Sequence, residues 1–220
     1  MGNHMLVKKM FLILFVIWFA QIEQSALAQQ PSAVSVLNKL EVKGRAPKTG
    51  YSRAQFLHWS DPDRNGCDAR NDTLKRDLRN TVFKSDTNEC KVISGELRDP
   101  FSGKIISFNL ASSSSNIDID HIVSLSNAWQ TGAAYFSKEV RKNLANDPLN
   151  LIAVDAKLNR QKGDGDAATW LPPLKAYRCD YVSRQVAVKF KYSLWVTEPE
   201  KNAMLNILQK CTNQKIPSGL

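Results

Sequence analysis

The hydrophobic pattern begins with a single unbroken block. Lys8 and Lys9 precede apolar residues from Met10 to Ala20, and a polar segment then closes on Ala26-Leu27-Ala28. The block is shorter than the ~20 residues a membrane helix requires. Small residues stand just before Gln29, where a signal peptidase would cut, so 1–28 reads as a secretory signal peptide cleaved after Ala28. An uncleaved anchor is the alternative. From Gln29 to Gly50 the chain is polar and punctuated by Pro31, Gly44 and Pro47. Val34, Val36, Leu37 and Leu40 suggest one short ordered piece there, an N-terminal arm over 29–50 packed on the domain.

Further on, the apolar spacing alternates between helix and strand periods. Asn71-Asp72 are good N-cap residues. Leu74, Leu78 and Val82 follow four apart with Lys75, Arg76 and Arg79 off that face, which predicts a basic amphipathic helix. Val92 to Leu97 and Lys104 to Leu110 are β-prone runs joined by RDPFSG, a hairpin. After Ser112 to Ser115, IDIDHIV alternates with a period of two, which puts Asp118 and Asp120 on one strand face and Ile117, Ile119 and His121 on the other. A helix near Ser137 to Ala145 leads to an apolar strand at Leu149 to Val154. Asp155 then caps a helix from Ala156 to Lys162 that Gly163 stops. Two C-terminal helices follow, one from about Tyr177 to Trp195 and one opened by the capping box Thr197-Glu198-Pro199-Glu200. Their short linker makes them antiparallel.

Composition narrows the class. Of 30 basic and 21 acidic residues, the signal segment holds Lys8, Lys9 and Glu23, leaving 28 against 20 and a net charge of +8 for the exported part. A basic exported chain suits a polyanion. All four cysteines, Cys67, Cys90, Cys179 and Cys211, lie in the exported part, and none has C-x-x-C spacing. Two disulfides are therefore expected rather than a structural zinc. At ~1.5 Å rise per residue, Cys179 and Cys211 each sit ~20–25 Å from the bend of the helix pair. That favours Cys179 with Cys211 and leaves Cys67 with Cys90. With no repeat or long low-complexity run, one domain over 51–213 and a tail over 214–220 complete the division.

Candidate chemistry gathers around one of the three histidines. Asp120-His121 in D-H-I-V, Asn150 in P-L-N-L and Asn159 in N-R-x-K-G-D come in this order, inside or beside the two strands and the helix just described. This order resembles the HNH nuclease family, and the nine-residue spacing from Asn150 to Asn159 is its most specific part. More narrowly, DIDHIVSLSNAW, NDPLNLIAVDAKLNRQKGD, WLPP and CDYVSRQVAVKFKYSLWVTEPEK resemble a secreted branch akin to the C-terminal domain of GmrSD-type endonucleases, from about Tyr51 to Cys211. The resemblance implies an α+β fold with a central ββα-metal (HNH-like) unit, a β-hairpin and flanking helices, stapled by the disulfides.

The resemblance also implies roles. A histidine with an unperturbed pKa near ~6.5 is neutral enough at pH 7 to be a general base, which suits His121. Asp120 and Asn159 offer hard oxygen donors, favouring Mg²⁺ or Mn²⁺. Asn159 stands where the family name has a histidine and Ser124 where a proline is often found. The first change weakens zinc relative to magnesium. Asn150 is implied as a clamp that ties the loop and holds His121. Lys162, Arg160 and Arg70 are the candidate contacts to nucleic acid, against solvent-facing salt bridges as the plainer reading. Asp118 reads as a solvated or outer carboxylate, His58 as a packed neighbour of aromatics, and Trp129, Trp170 and Trp195 as core.

The expected function is thus a secreted or periplasmic metal-dependent endonuclease acting on DNA, with the choice between DNA and RNA left open by the sequence. Little base preference, no stable membrane association after cleavage and no obligate protein partner are expected. A catalytically inactive nucleic-acid-binding or uptake protein is the alternative, and an anchored envelope protein a third. One structural demand follows. Regular alternation would send Asp120 and His121 to opposite faces, so the strand has to end or bulge at this pair.

Overall fold

The computed structural model describes residues 30–112 and 116–217, and the signal-peptide reading of 1–28 lies outside the described residues. The elements are α1 (Ala33–Leu37), α2 (Ala69–Asp77), β1 (Leu78–Phe83), β2 (Val92–Arg98), β3 (Ile105–Asn109), β4 (Ile117–His121), α3 (Leu125–Gln130), α4 (Lys138–Asn146), β5 (Leu151–Asp155), α5 (Ala156–Lys162), α6 (Arg178–Lys191) and α7 (Glu198–Leu208). Strands β1-β2-β3 form one antiparallel sheet and β4-β5 a second, antiparallel pair. The architecture is α+β, as expected.

The β4-β5 pair lies between two apolar clusters. Ile152 and Val154 face a cluster built with α1, α6 and α7, while Ile117, Ile119, Leu151 and Ala153 join the cluster under α2 and the larger sheet. Covering on both faces explains why 151–154 are uniformly apolar rather than alternating. The N–H groups of Ala153 and Asp155 on β5 are taken by side chains: Asp77 accepts the first at 2.8 Å and Asp99 the second at 2.9 Å. Carboxylates from α2 and the β2-β3 turn thus satisfy backbone groups that would otherwise form an open strand edge.

The basic helix is shorter than expected. Asp68 rather than Asn71-Asp72 caps it, accepting the Asn71 N–H at 2.7 Å, and it ends at Asp77. Leu78 and Val82 belong to β1 instead, paired with Leu97 and Ser94 of β2. A spacing of four is a multiple of the strand period as well as about one helical turn, so these positions fit both patterns. Pairing with β2 decides, helped by the strand-forming Thr81, Val82 and Phe83. The expected hairpin is present, with Gly103 at φ 78 in its turn.

Helix α6 is buried from Tyr181 to Lys189. Its Lys189 forms a buried pair with Glu200 of α7 at 3.0 Å and reaches Asn127 of α3 at 3.1 Å. Thr197 and Glu200 make both bonds of the capping box. The disulfides join Cys67 to Cys90 and Cys179 to Cys211, and no described cysteine is free. Replacing Cys179 and Cys211 by serine is expected to lower stability by about 3–4 kcal/mol through the released loop, read from urea unfolding. Among the described residues, no helix is long and apolar enough to cross a membrane.

Candidate active site

The site forms where β4 stops. Pairing stays regular from Ile117↔Asp155 to His121↔Leu151 and goes no further. The Ile122 N–H then bonds the Asn150 carbonyl at 2.8 Å, and the Val123 N–H bonds Asn150 Oδ1 at 2.9 Å. The strand therefore ends at the Asp-His pair, without a bulge. Asp118 and Asp120 face α5, while His121 lies against Ala145 and the Trp59 ring. A cavity of about 370 Å³ opens at the strand end, and Asp120, His121 and Asn159 all line it.

Nε2 of His121 lies 2.9 Å from the Ala145 carbonyl. A carbonyl only accepts, so Nε2 carries the proton and the neutral ring keeps its lone pair on Nδ1. Nδ1 has no hydrogen-bond partner among the described residues. Burial pushes the His121 pKa down to about 3, although the Ala145 bond opposes this, so the ring is neutral at pH 7. Trp59 stacks on the imidazole with ring centroids 5.7 Å apart, fixing its plane.

Asn150 is fully buried and spends its amide on the loop around His121. Besides the Val123 N–H, it meets the Val123 carbonyl at 3.3 Å and the Leu144 carbonyl at 3.2 Å through Nδ2. The peptide that presents it is held from outside by two arginines. Arg76 donates to the Pro148 and Leu151 carbonyls, and Arg184 donates to those two and to the Leu149 carbonyl. Neither arginine was singled out in the sequence. Both sit in helical segments whose spacing suggests only a basic face or a core helix.

Lys162 departs from expectation. Its side chain is fully enclosed, and Nζ donates to Asp120 Oδ1 at 2.8 Å, Asp120 Oδ2 at 2.6 Å and the His121 carbonyl at 2.6 Å. It is therefore not a solvent-facing phosphate contact. The helical spacing put Lys162 on the same face as Asn159, and that face turns inward onto β4. Three acceptors around one nitrogen describe an ammonium. Burial pushes the Asp120 carboxyl up and the Lys162 ammonium down, each opposed by the other's charge.

Asn159 Nδ2 donates to Asp118 at 3.1 Å, leaving its amide oxygen without a hydrogen bond among the described residues. Arg160 is exposed and lies 3.8 Å from Asp118. Arg70 packs over the Phe108 ring of β3, and it does not line the cavity. His58 meets the edge of Trp59, as expected.

One pattern went unread. Asp61, Asp63, Asn65, Gly66 and Asp72 are spaced as D-x-D-x-N-G-x5-D, the calcium-loop spacing with Asp for the closing Glu. Here Asn65 bonds Asp63 and Asp72, and Asp61 accepts the Asn65 and Gly66 N–H groups. Among the described residues, no three His, Cys, Asp or Glu side chains are arranged to hold a metal ion.

Residues 68–207, more than half the chain, match the model of the C-terminal domain of GmrSD restriction endonucleases. The chain belongs to that family. The GmrSD C-terminal domain match contains Asp120, His121, Asn150, Asn159, α6 and α7 as far as Ile207, in agreement with the resemblance read from the motifs. A protein of Arthroderma benhamiae described as an uncharacterized secreted protein is 38% identical over 182 residues, covering 82% of this chain and 85% of that protein. No solved structure matches. Membership places the chain in a nuclease-related family.

Proposed function

We propose that this GmrSD C-terminal domain protein is an exported, metal-dependent endonuclease of the HNH type. It would cut nucleic acid, DNA in the first instance, with little sequence preference. The observation that carries this reading is the His121 ring, neutral, held in one tautomer by Ala145, and set on the cavity wall beside Asp120 and Asn159. Export rests on the two disulfides and on the description of the Arthroderma relative as secreted.

In this reading β4, β5 and α5 are the ββα unit. The donor set fits a hard cation. Asp120 contributes a carboxylate whose oxygens each spend one bond on Lys162 and retain acceptor capacity, and Asn159 contributes a free amide oxygen. Mg²⁺ or Mn²⁺ held by Asp120 and Asn159 would supply charge stabilisation for the phosphate and the departing oxygen. His121 Nδ1 removes a proton from water as the water oxygen bonds to phosphorus and the P–O3′ bond breaks. The 3′ oxygen leaves as a hydroxyl after taking a proton from solvent, and the 5′ side keeps the phosphate. Ala145 continues to accept from Nε2 as the ring becomes imidazolium, and Asn150 holds the loop that aligns it.

The deciding test incubates the mature protein with plasmid and with RNA, adding Mg²⁺, Mn²⁺ or chelator. Metal-dependent cleavage is expected. Binding without cleavage would favour the alternative, an inactive nucleic-acid-binding or uptake protein. Asn150→Ala is expected to leave the Val123 N–H and the Leu144 carbonyl unpaired, to cost about 2–4 kcal/mol, and to lower activity while the fold survives. Wild-type rates with that loss of stability would remove its alignment role.

A further inference from the structure

The cavity wall opposite β4 comes from outside the span matched to the GmrSD family, through Lys48, Tyr51 and Arg53. Lys48 and Arg53 line the cavity and Lys162 lies against the Asp-His pair, and two of these three cations are already occupied. Lys162 is held by Asp120, and Lys48 pairs with Asp164 at 3.0 Å. Arg53 differs. It is exposed, lines the cavity, and its charge is felt at both Asp120 and His121. Among the described residues its one hydrogen bond runs from Nε to Nε2 of His58 at 3.3 Å, and neither terminal nitrogen has a partner.

The chemistry of that bond matters. To accept from Nε, His58 Nε2 needs its lone pair, so His58 is neutral with its proton on Nδ1. Burial, with the adjacent Arg53 charge, pushes the His58 pKa down and keeps it so. A carboxylate in that place would orient the guanidinium and also cancel its charge; a neutral imidazole orients it alone. The backbone around His58 is unusual as well. Leu57 and Trp59, both bulky, have φ of 44 and 64, a left-handed conformation such residues rarely adopt. Asn146 holds them there, donating to the Leu57 carbonyl at 3.0 Å and accepting the Ser60 N–H at 2.9 Å. The same segment sends Trp59 onto His121 and His58 onto Arg53.

We propose that Arg53 is the cation that binds a backbone phosphate of the nucleic acid in this cavity, and that His58 is its positioning residue. The proposal rests on the nuclease reading for the substrate's identity. A guanidinium anchored at Nε presents its two terminal nitrogens as a fork matched to two phosphate oxygens.

The test uses full-length mature protein carrying His121→Ala, so that the probe survives. Anisotropy of a short fluorescein-labelled DNA duplex is measured over a salt series. Adding Arg53→Ala is expected to weaken binding about tenfold and to reduce the salt slope by about one. Arg53→Lys should recover the slope but only part of the affinity. His58→Phe should lose several-fold in affinity at unchanged slope, and His58→Gln, which keeps an acceptor, should restore it. Lys210→Ala, in the turn after α7 and outside the cavity, controls for general charge. Unchanged binding in Arg53→Ala, or an equal loss in Lys210→Ala, would overturn the proposal. Metal-dependent cleavage is scored separately with His121 intact, in the wild-type protein as parent and in Arg53→Ala made from it. If the parent cleaves and Arg53→Ala binds and cleaves like it, this inference fails while the nuclease reading stands. If the parent does not cleave but Arg53→Ala loses slope and affinity, the nuclease reading fails and Arg53 remains a phosphate-binding residue.

Discussion

His121→Ala is expected to lower Mg²⁺-dependent phosphodiester cleavage by about 10²–10⁴-fold, the range typical of a positioned general base, while duplex binding persists. In the proposed mechanism the ring would accept the proton through Nδ1, because Ala145 occupies Nε2. The substitution also removes a buried ring stacked on Trp59. For that reason, folding has to be verified by circular dichroism and urea unfolding beside the plasmid-nicking assay. A folded His121→Ala protein that cuts at the wild-type rate would end the general-base assignment.

Lys162→Met is expected to give the largest loss of stability, about 3–5 kcal/mol, because it leaves the Asp120 charge buried without its partner. The His121 carbonyl loses a donor at the same time. In the proposed site the lysine and a divalent cation would share one carboxylate, so added Mg²⁺ should raise the melting temperature of Lys162→Met more than that of the wild type. Thermal melts with and without Mg²⁺ measure both effects. Equal shifts in the two proteins would separate the cation from Asp120, and an unchanged melting temperature in metal-free Lys162→Met would remove the structural role of the pair.

These two residues show where sequence reading succeeded and where it stopped. The order D-H, N, N-R-x-K named Asp120, His121, Asn150 and Asn159, and the structure brings the first two and Asn159 to one cavity with Asn150 tying the loop behind them. The spacing puts Lys162 on the helix face of Asn159 and suggests a phosphate contact, but spacing says which residues share a face and not which way that face turns, and Lys162 is spent on Asp120. Leu78 and Val82 were assigned to a helix because four-residue spacing fits both periods, and only the partner strand β2 separates them. Arg53 and His58 carried no motif. Their relation depends on Asn146, far along the chain, holding Leu57 and Ser60 in place.

The sequence by itself determined the features set by local chemistry: the strand and helix flanking the Asp-His pair, the Asp155 cap and Gly163 stop of α5, the capping box at Thr197 and, through helix lengths, the Cys179–Cys211 bridge. Each depends on neighbours within a few turns of chain, where periodicity and capping dominate. The tertiary structure alone decided which charges are buried against one another, which tautomer His121 holds, and which cation on the cavity wall has no acidic partner among the described residues. Those outcomes depend on desolvation and on carbonyls and carboxylates brought together from distant segments, and no local pattern encodes them.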